Sequence, residues 1–291
     1  MTRSSWRRHL PDFDPISKIK RQQRETANAL RMLGLDHLPM RECSGVEPCR
    51  NGLCARCARQ LRSHLLGFLA DEYLDQQHWH FVTIRPEGWT MPAGEFRQFG
   101  LLRDHPLVEN LVKRFRRMVI PGLIIFGSVE TVYNTVSNRP AGKPFHIHLM
   151  VAAASAAQIN GAVQAIVPLN GQDVKPLDIR RVGSTPEDFY EAASYAFKQP
   201  LLKKSRVAPA SFGVMQSLKA AERRELIQNL GVHGWTRRLI LSGIRCDSGR
   251  FRLTANLSAT TNRGENPSSH QLLSGGLPQA SRHNQLRGRR E

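Results

Sequence analysis

The stretch KPFHIHLMVAA, Lys143 to Ala153, is apolar at most positions apart from two histidines that flank a single isoleucine. Its β-branched and aromatic content reads as a buried strand. Side chains alternate between faces along a strand, so His146 and His148 share one face, two residue rises apart. A core strand has no structural use for two imidazoles side by side, whereas that separation suits two ligands of one metal ion. Two imidazoles do not fill a coordination shell, so a third group must come from a neighbouring strand. The run GLIIFGSVETVYN, residues 122–134, reads as that neighbour, joined through the turn TVSNRPAGKP into an antiparallel hairpin, and it carries Glu130. Two histidines and one carboxylate with open positions favour Mg2+ or Mn2+, hard cations that also hold phosphate oxygens. The plainer alternative is a pair of core or surface histidines, and HWH at His78 and His80 repeats the pattern elsewhere in the chain.

Further along, TPEDFYEAASYAFKQP reads as a helix over 186–199, with Thr185 as its cap, Pro186 in the first position and Pro200 closing it. Glu191, Tyr195 and Lys198 fall on one face of that helix, and Phe189, Ala193 and Phe197 are placed to pack behind it. A phenol is a weak nucleophile until something draws off its proton or stabilises its charge. Here a carboxylate stands one turn before the tyrosine, where it can activate water, and a cation stands one turn after. Tyr190 falls about 140° around the helix from Tyr195 and is read as packing. The plainer reading of this helix is an amphipathic one with a solvated Glu and Lys.

Four of the five cysteines crowd into CSGVEPCRNGLCARC, as Cys43, Cys49, Cys54 and Cys57, with C-x5-C-x4-C-x2-C spacing. Thiolates on short turns close a tetrahedron, and a structural zinc site fills all four positions with protein ligands. The Cys54/Cys57 pair is the firm part of the pattern; the alternatives are reduced thiols in a loop, or His64 in place of one of the first two.

The chain has 291 residues, 42 Lys and Arg against 24 Asp and Glu, and a net charge of +18. That excess exceeds what solubility requires and points to a polyanion, nucleic acid first. No run of roughly 18 apolar residues occurs, and MTRSSWRRHLPDFD is charged where a signal peptide needs its apolar centre, so a cytoplasmic protein with no membrane partner is expected. The segments divide into a basic helical region over 1–42, a Cys-rich zinc segment and helix over 43–75, an α/β unit over 76–204, a helical extension over 205–254 and a disordered basic tail over 255–291. The helix HPLVENLVKRFRRMV places Lys113, Arg114, Arg116 and Arg117 on its polar side.

The ordered set CRNGLCARC, FVTIRP, SVETVYN, FHIHLMVAA and EAASYAFK, spanning about Cys49 to Lys198, resembles the motifs of plasmid rolling-circle replication initiators of the HUH endonuclease superfamily. The resemblance implies an α+β fold: a two-layer HUH-type domain with a central antiparallel sheet and flanking helices, preceded by the small zinc segment. It implies that His146 and His148 bind the divalent metal with Glu130 as third ligand, that Tyr195 attacks DNA, and that Glu191 closes the cycle. The implied activity is site-specific nicking and strand transfer at a single-stranded or cruciform plasmid origin, with a host helicase and polymerase as partners. A transposase or conjugative relaxase of the same superfamily would share the metal and the tyrosine, although no GxxxxGK[ST] phosphate loop is present. A zinc-bearing DNA-binding regulator would share only the charge and the cysteines.

Overall fold

The computed structural model describes residues 15–44, 49, 51–72, 78–91, 105–131, 133–136, 139–140, 143–169, 175–196, 202–206, 214–217, 220–227, 239–247 and 250–254. Lys198, Phe197 and the tail expected over 255–291 lie outside these residues.

Helices α1 (Ile16–Met32), α2 (Leu38–Glu42) and α3 (Ala55–Glu72) come first. Along α1 the buried residues Ile19, Gln23, Thr26, Ala27 and Leu30 recur at helical spacing. Gly34 ends the helix as expected: its φ of +69° suits glycine, and the amides of Leu35 and Gly34 return to the carbonyls of Leu30 and Arg31. Strands β1 (Trp79–Ile84) and β2 (Thr90–Met91) lead to α4 (Pro106–Arg117), which buries Val108, Leu111 and Phe115 while its four cations stay exposed. Then come β3 (Ile124–Thr131), β4 (Tyr133–Val136), β5 (Arg139–Pro140), β6 (Lys143–Ala152), α5 (Ala156–Gln164), β7 (Leu177–Arg181) and α6 (Pro186–Tyr195). The chain continues through β8 (Leu202–Arg206), β9 (Val214–Ser217), α7 (Ala220–Leu226), β10 (Leu239–Ser242), β11 (Ile244–Asp247) and β12 (Arg250–Leu253).

The main sheet runs β10-β3-β6-β1-β7, every pair antiparallel, with β2 added beside β6. β6 therefore lies at its centre, and from Phe145 to Ala152 both of its faces are buried except at His146. The expected hairpin between the glutamate and histidine strands is the β3–β6 pair. Two crossovers build the rest: β1 reaches β3 through α4, and β6 reaches β7 through α5. They move in opposite directions from antiparallel strands, so two right-handed crossovers put both helices on one face. The contact of Arg116 with the Ser242 hydroxyl at 3.3 Å fits this, since Ser242 stands opposite Ile125 on that face. Helix α6 covers the other face, where Phe189 meets Trp79 and Phe126 edge-on at 5.2 and 6.4 Å. The sheet with flanking helices is thus an α+β arrangement, with helices on both faces where two layers were expected.

The 205–254 segment, read as helical, instead holds the short α7 and several strands, and its LILS run completes the main sheet as β10. Leu239, Ile240 and Ser242 are buried there, so the apolar run fits a place beside β3 that is covered on both faces. Buried side chains from Ala27 on α1 to Phe251 on β12 form one continuous core. No helix among the described residues is long and apolar enough to cross a membrane.

Candidate functional site

His148 sits near the middle of the face that α6 covers. Its Nε2 lies 2.9 Å from Glu130 Oε2, and its Nδ1 lies 3.1 Å from the Thr83 hydroxyl. Strand register accounts for both contacts: Thr83 on β1 stands opposite His148, and Glu130 on β3 stands opposite His146, one step along the same face. Glu130 is 2% exposed and His148 7%, and a carboxylate at that depth requires a cation or a hydrogen donor beside it. His146 is half-buried, its ring 5.9 Å from that of His148 and nearly parallel to it. Strand β3 approaches this closely because residue 127 is glycine; a Cβ there would run into the backbone carbonyl of His148.

Two ligands at about 2.1 Å from an octahedral ion and at right angles to each other are roughly 3 Å apart, so the 2.9 Å between Nε2 and Oε2 fits a shared ion as well as a hydrogen bond. A neutral imidazole carries one N–H. When Nδ1 donates to Thr83, a proton or a metal cation must stand between Nε2 and the carboxylate; when only Nε2 carries a proton, the Thr83 hydroxyl donates to Nδ1. Threonine serves either state, which is what a group holding a ligating histidine in orientation must do. His146, His148 and Glu130 are spread wider than the cysteines, which among the described residues are the one group of three or more metal-binding side chains whose ligand atoms all lie within 4.8 Å of one another.

Over this pair stands Tyr195. It is the last residue of α6 and half exposed, and its ring meets those of His148 at 5.9 Å and Phe81 at 6.1 Å, both edge-on. Thr185 caps the helix start through the Asp188 amide, as expected. Phe189, Tyr190 and Ala193 are buried, so Tyr190 is the packing residue that its helical angle predicts. Glu191 is exposed, one turn before Tyr195. Among the described residues α6 ends at Tyr195 with Ala196 as its C-cap, and residues 197–199 of the expected helix lie outside them. The carbonyl of Ala196 would next accept from residue 200, which is proline and has no N–H. Ser128 fills the gap: its hydroxyl donates to that carbonyl at 2.5 Å, tying the end of the tyrosine helix to the strand that carries Glu130.

Sequence reasoning missed the edge strand's contribution. On β7, Asp178 stands opposite Thr83 and Arg180 opposite Phe81, so both side chains share the tyrosine face. Asp178 grips the Arg180 guanidinium at 2.5 Å and, with a smaller contribution from Tyr195, favours its charged form. Arg180 is the described cation within electrostatic reach of the phenol, a role the sequence reading gives to Lys198. The alternation in LDIRR carries the signal, but only once β7 is known to lie beside β1.

The cysteines converge. Around a tetrahedral zinc at about 2.3 Å, sulfurs are roughly 3.8 Å apart, and Cys43 and Cys49 lie 3.5 and 3.7 Å from Cys57. The Asn51 side chain accepts the Leu53 amide and its carbonyl the Cys54 amide, folding the knuckle that opens α3. Buried Gln23 on α1 donates to the carbonyls of Met40 and Cys43 at 2.5 and 2.9 Å, fixing the first ligand. Hydrogen bonds from the thiols of Cys54 and Cys57 hold the Cys49 thiol well below its usual range, and the same hydrogen bonds to Cys49, with burial added, push Cys54 far up and Cys57 up to about 12. A divalent cation removes this mutual opposition, and the four cysteines form a site suited to a metal such as zinc. His64, the alternative ligand, is exposed on α3.

His78 and His80 are separated from this machinery. His80 projects from the opposite face of β1, since Trp79, Phe81 and Thr83 occupy the tyrosine face. No protein family, curated protein or solved structure matches the chain.

Proposed function

We propose that this protein is a metal-dependent DNA nicking and strand-joining enzyme that works through a covalent phosphotyrosine link, as a rolling-circle initiator of the HUH type would. The observation that supports this reading most is the half-exposed Tyr195 phenol standing over the buried His148–Glu130 pair. The +18 charge supplies affinity for a polyanion.

His146, His148 and Glu130 would hold Mg2+ or Mn2+, which when bound draws charge from phosphate oxygens as a Lewis acid. The chain's own groups do the rest. Phe81 and His148 confine the Tyr195 ring, and the Ser128 contact fixes the helix end, so the hydroxyl is presented in one direction. The Tyr195 oxygen bonds to phosphorus as the bond from phosphorus to the 3′ oxygen breaks; the phenol proton leaves to solvent, and the departing 3′ oxygen takes one up. Arg180 offsets charge on the non-bridging oxygens. The phosphodiester bond energy is retained in the protein link, so a free 3′ hydroxyl can reverse the step and rejoin strands. Glu191 accepts a proton from the water that closes the cycle.

Incubation of the protein with a labelled single strand and Mn2+ tests the reading. A denaturant-resistant adduct supports it; its absence across strands from the protein's own replicon would favour the non-catalytic regulator, for which the cysteine site and the charge suffice. Strand substrates drawn from a plasmid origin, a transposon end or a transfer origin would separate initiator from transposase and relaxase.

A further inference from the structure

The far face of the sheet carries a cluster of His78, His80 and Arg181 that nicking does not use. His80 and Arg181 stand opposite each other across β1 and β7, on the face away from Tyr195. With His78 they line a cavity of about 570 Å³, closed by Pro121 and by Ala153 to Ala156 at the start of α5. No carboxylate is among the lining residues. An arginine only donates, so in the 3.0 Å contact between Arg181 and His78 Nδ1 the imidazole accepts and its proton stands on Nε2. The basicity of His80 is lowered, first by burial and then by Arg181 and His78 beside it, with a backbone hydrogen bond to Ala154 acting the other way, and among the described residues its Nδ1 is buried without a hydrogen-bond partner. At the helix start, the reciprocal contacts of Ser155 and Gln158 use the amides of those two residues, and leave those of Ala156 and Ala157. One cation, Arg181, two imidazoles and a helix N-terminus thus converge on a cleft with no carboxylate among its lining residues.

The occupant is indicated by what links this cleft to the tyrosine. Strand β7 is the sheet edge, and its consecutive Arg180 and Arg181 project to opposite faces, so positive charge passes round the edge from Tyr195 to the cleft. We propose that the cleft lined by His78, His80 and Arg181 binds a backbone phosphate of the same DNA strand that Tyr195 engages. The proposal rests on the nicking reading for its ligand, although a free phosphate would share the chemistry.

The test uses the full chain, a fluorescent single-stranded oligonucleotide and a salt titration. Arg181→Gln is expected to weaken binding about tenfold and to flatten the dependence of log K on log salt by about 0.7, whereas His78→Gln removes a donor but no charge and is expected to weaken binding with the slope unchanged. Arg181→Lys keeps a positive charge and retains the slope, which separates charge loss from misfolding; Tyr195 adducts still form in every variant at saturating DNA. An unchanged slope in folded Arg181→Gln overturns the cleft proposal and leaves nicking untouched. An Arg181-dependent slope with no adduct on any strand upholds the cleft and defeats nicking. Thermal stabilisation by inorganic phosphate that depends on Arg181, with oligonucleotide binding unaffected, would mean a free anion site and overturn the DNA assignment.

Discussion

The Ser128 hydroxyl donates to the Ala196 carbonyl at 2.5 Å, across 68 residues of sequence. The strand that supplies Glu130 therefore also holds the Ala196 carbonyl beside Tyr195. Ser128→Ala leaves that carbonyl buried without its partner, a loss of about 1–3 kcal/mol. Thermal melting should show the destabilisation, and nicking should slow at saturating metal while Mn2+ affinity stays as in the parent. A variant as stable and as fast as the parent would mean that the contact does not position Tyr195.

Thr83 holds the nitrogen of His148 that faces away from Glu130. Thr83→Val preserves shape and removes that hydrogen bond, so Mn2+ binding, followed by paramagnetic resonance, should weaken roughly 10- to 100-fold. The fold should persist, because valine suits the strand. Unchanged affinity would remove Thr83 from the metal site.

The cysteine cluster should hold about one zinc per chain, and its loss on strong chelation, or in Cys54→Ser, should lower the melting temperature. At neutral pH Cys54 and Cys57 keep their protons in the metal-free protein, since both are pushed above the ordinary thiol range. Zinc binding must displace those protons, so calorimetry in buffers of different ionisation enthalpy should register release of at least about two, and affinity should fall as pH falls. Binding without proton release would contradict this.

Much of this site is legible in the linear sequence because its parts follow local rules. Alternation along FHIHLMVAA puts His146 and His148 on one face, the short turn before it brings Glu130 alongside, and Thr185 with Pro186 marks the start of α6. What the sequence hides is non-local. Nothing in LDIRR reveals that β7 joins β1, so Arg180 stays invisible while Lys198 takes the cation's role by helical spacing. Pro200 tells that the helix must end, but which donor then serves Ala196 depends on a serine in another strand. The segment after residue 204 was hardest to read: its short apolar runs suit a helix or a strand, and only the open edge of β3 decides for LILS.

Glu191 lies one turn before Tyr195 and is exposed, placed for the closing step and not for the first bond. Glu191→Ala should nick and form adduct at rates near those of the parent, then accumulate the adduct because release is slowed by about 100- to 10,000-fold. Gel analysis of adduct against time checks this. An adduct that fails to form would assign Glu191 to the first step.

The central claim is that the Tyr195 oxygen becomes the covalent link to DNA. Tyr195→Phe keeps the ring contacts with His148 and Phe81 and removes only that oxygen. The most direct measurement is peptide mass spectrometry of the DNA adduct formed with Mn2+, run in parallel on the parent and on Tyr195→Phe. The account predicts a nucleotide-modified peptide containing Tyr195 in the parent and no adduct in the variant, with oligonucleotide binding retained by both. An adduct that survives in Tyr195→Phe, or one that maps to any other residue, would contradict it.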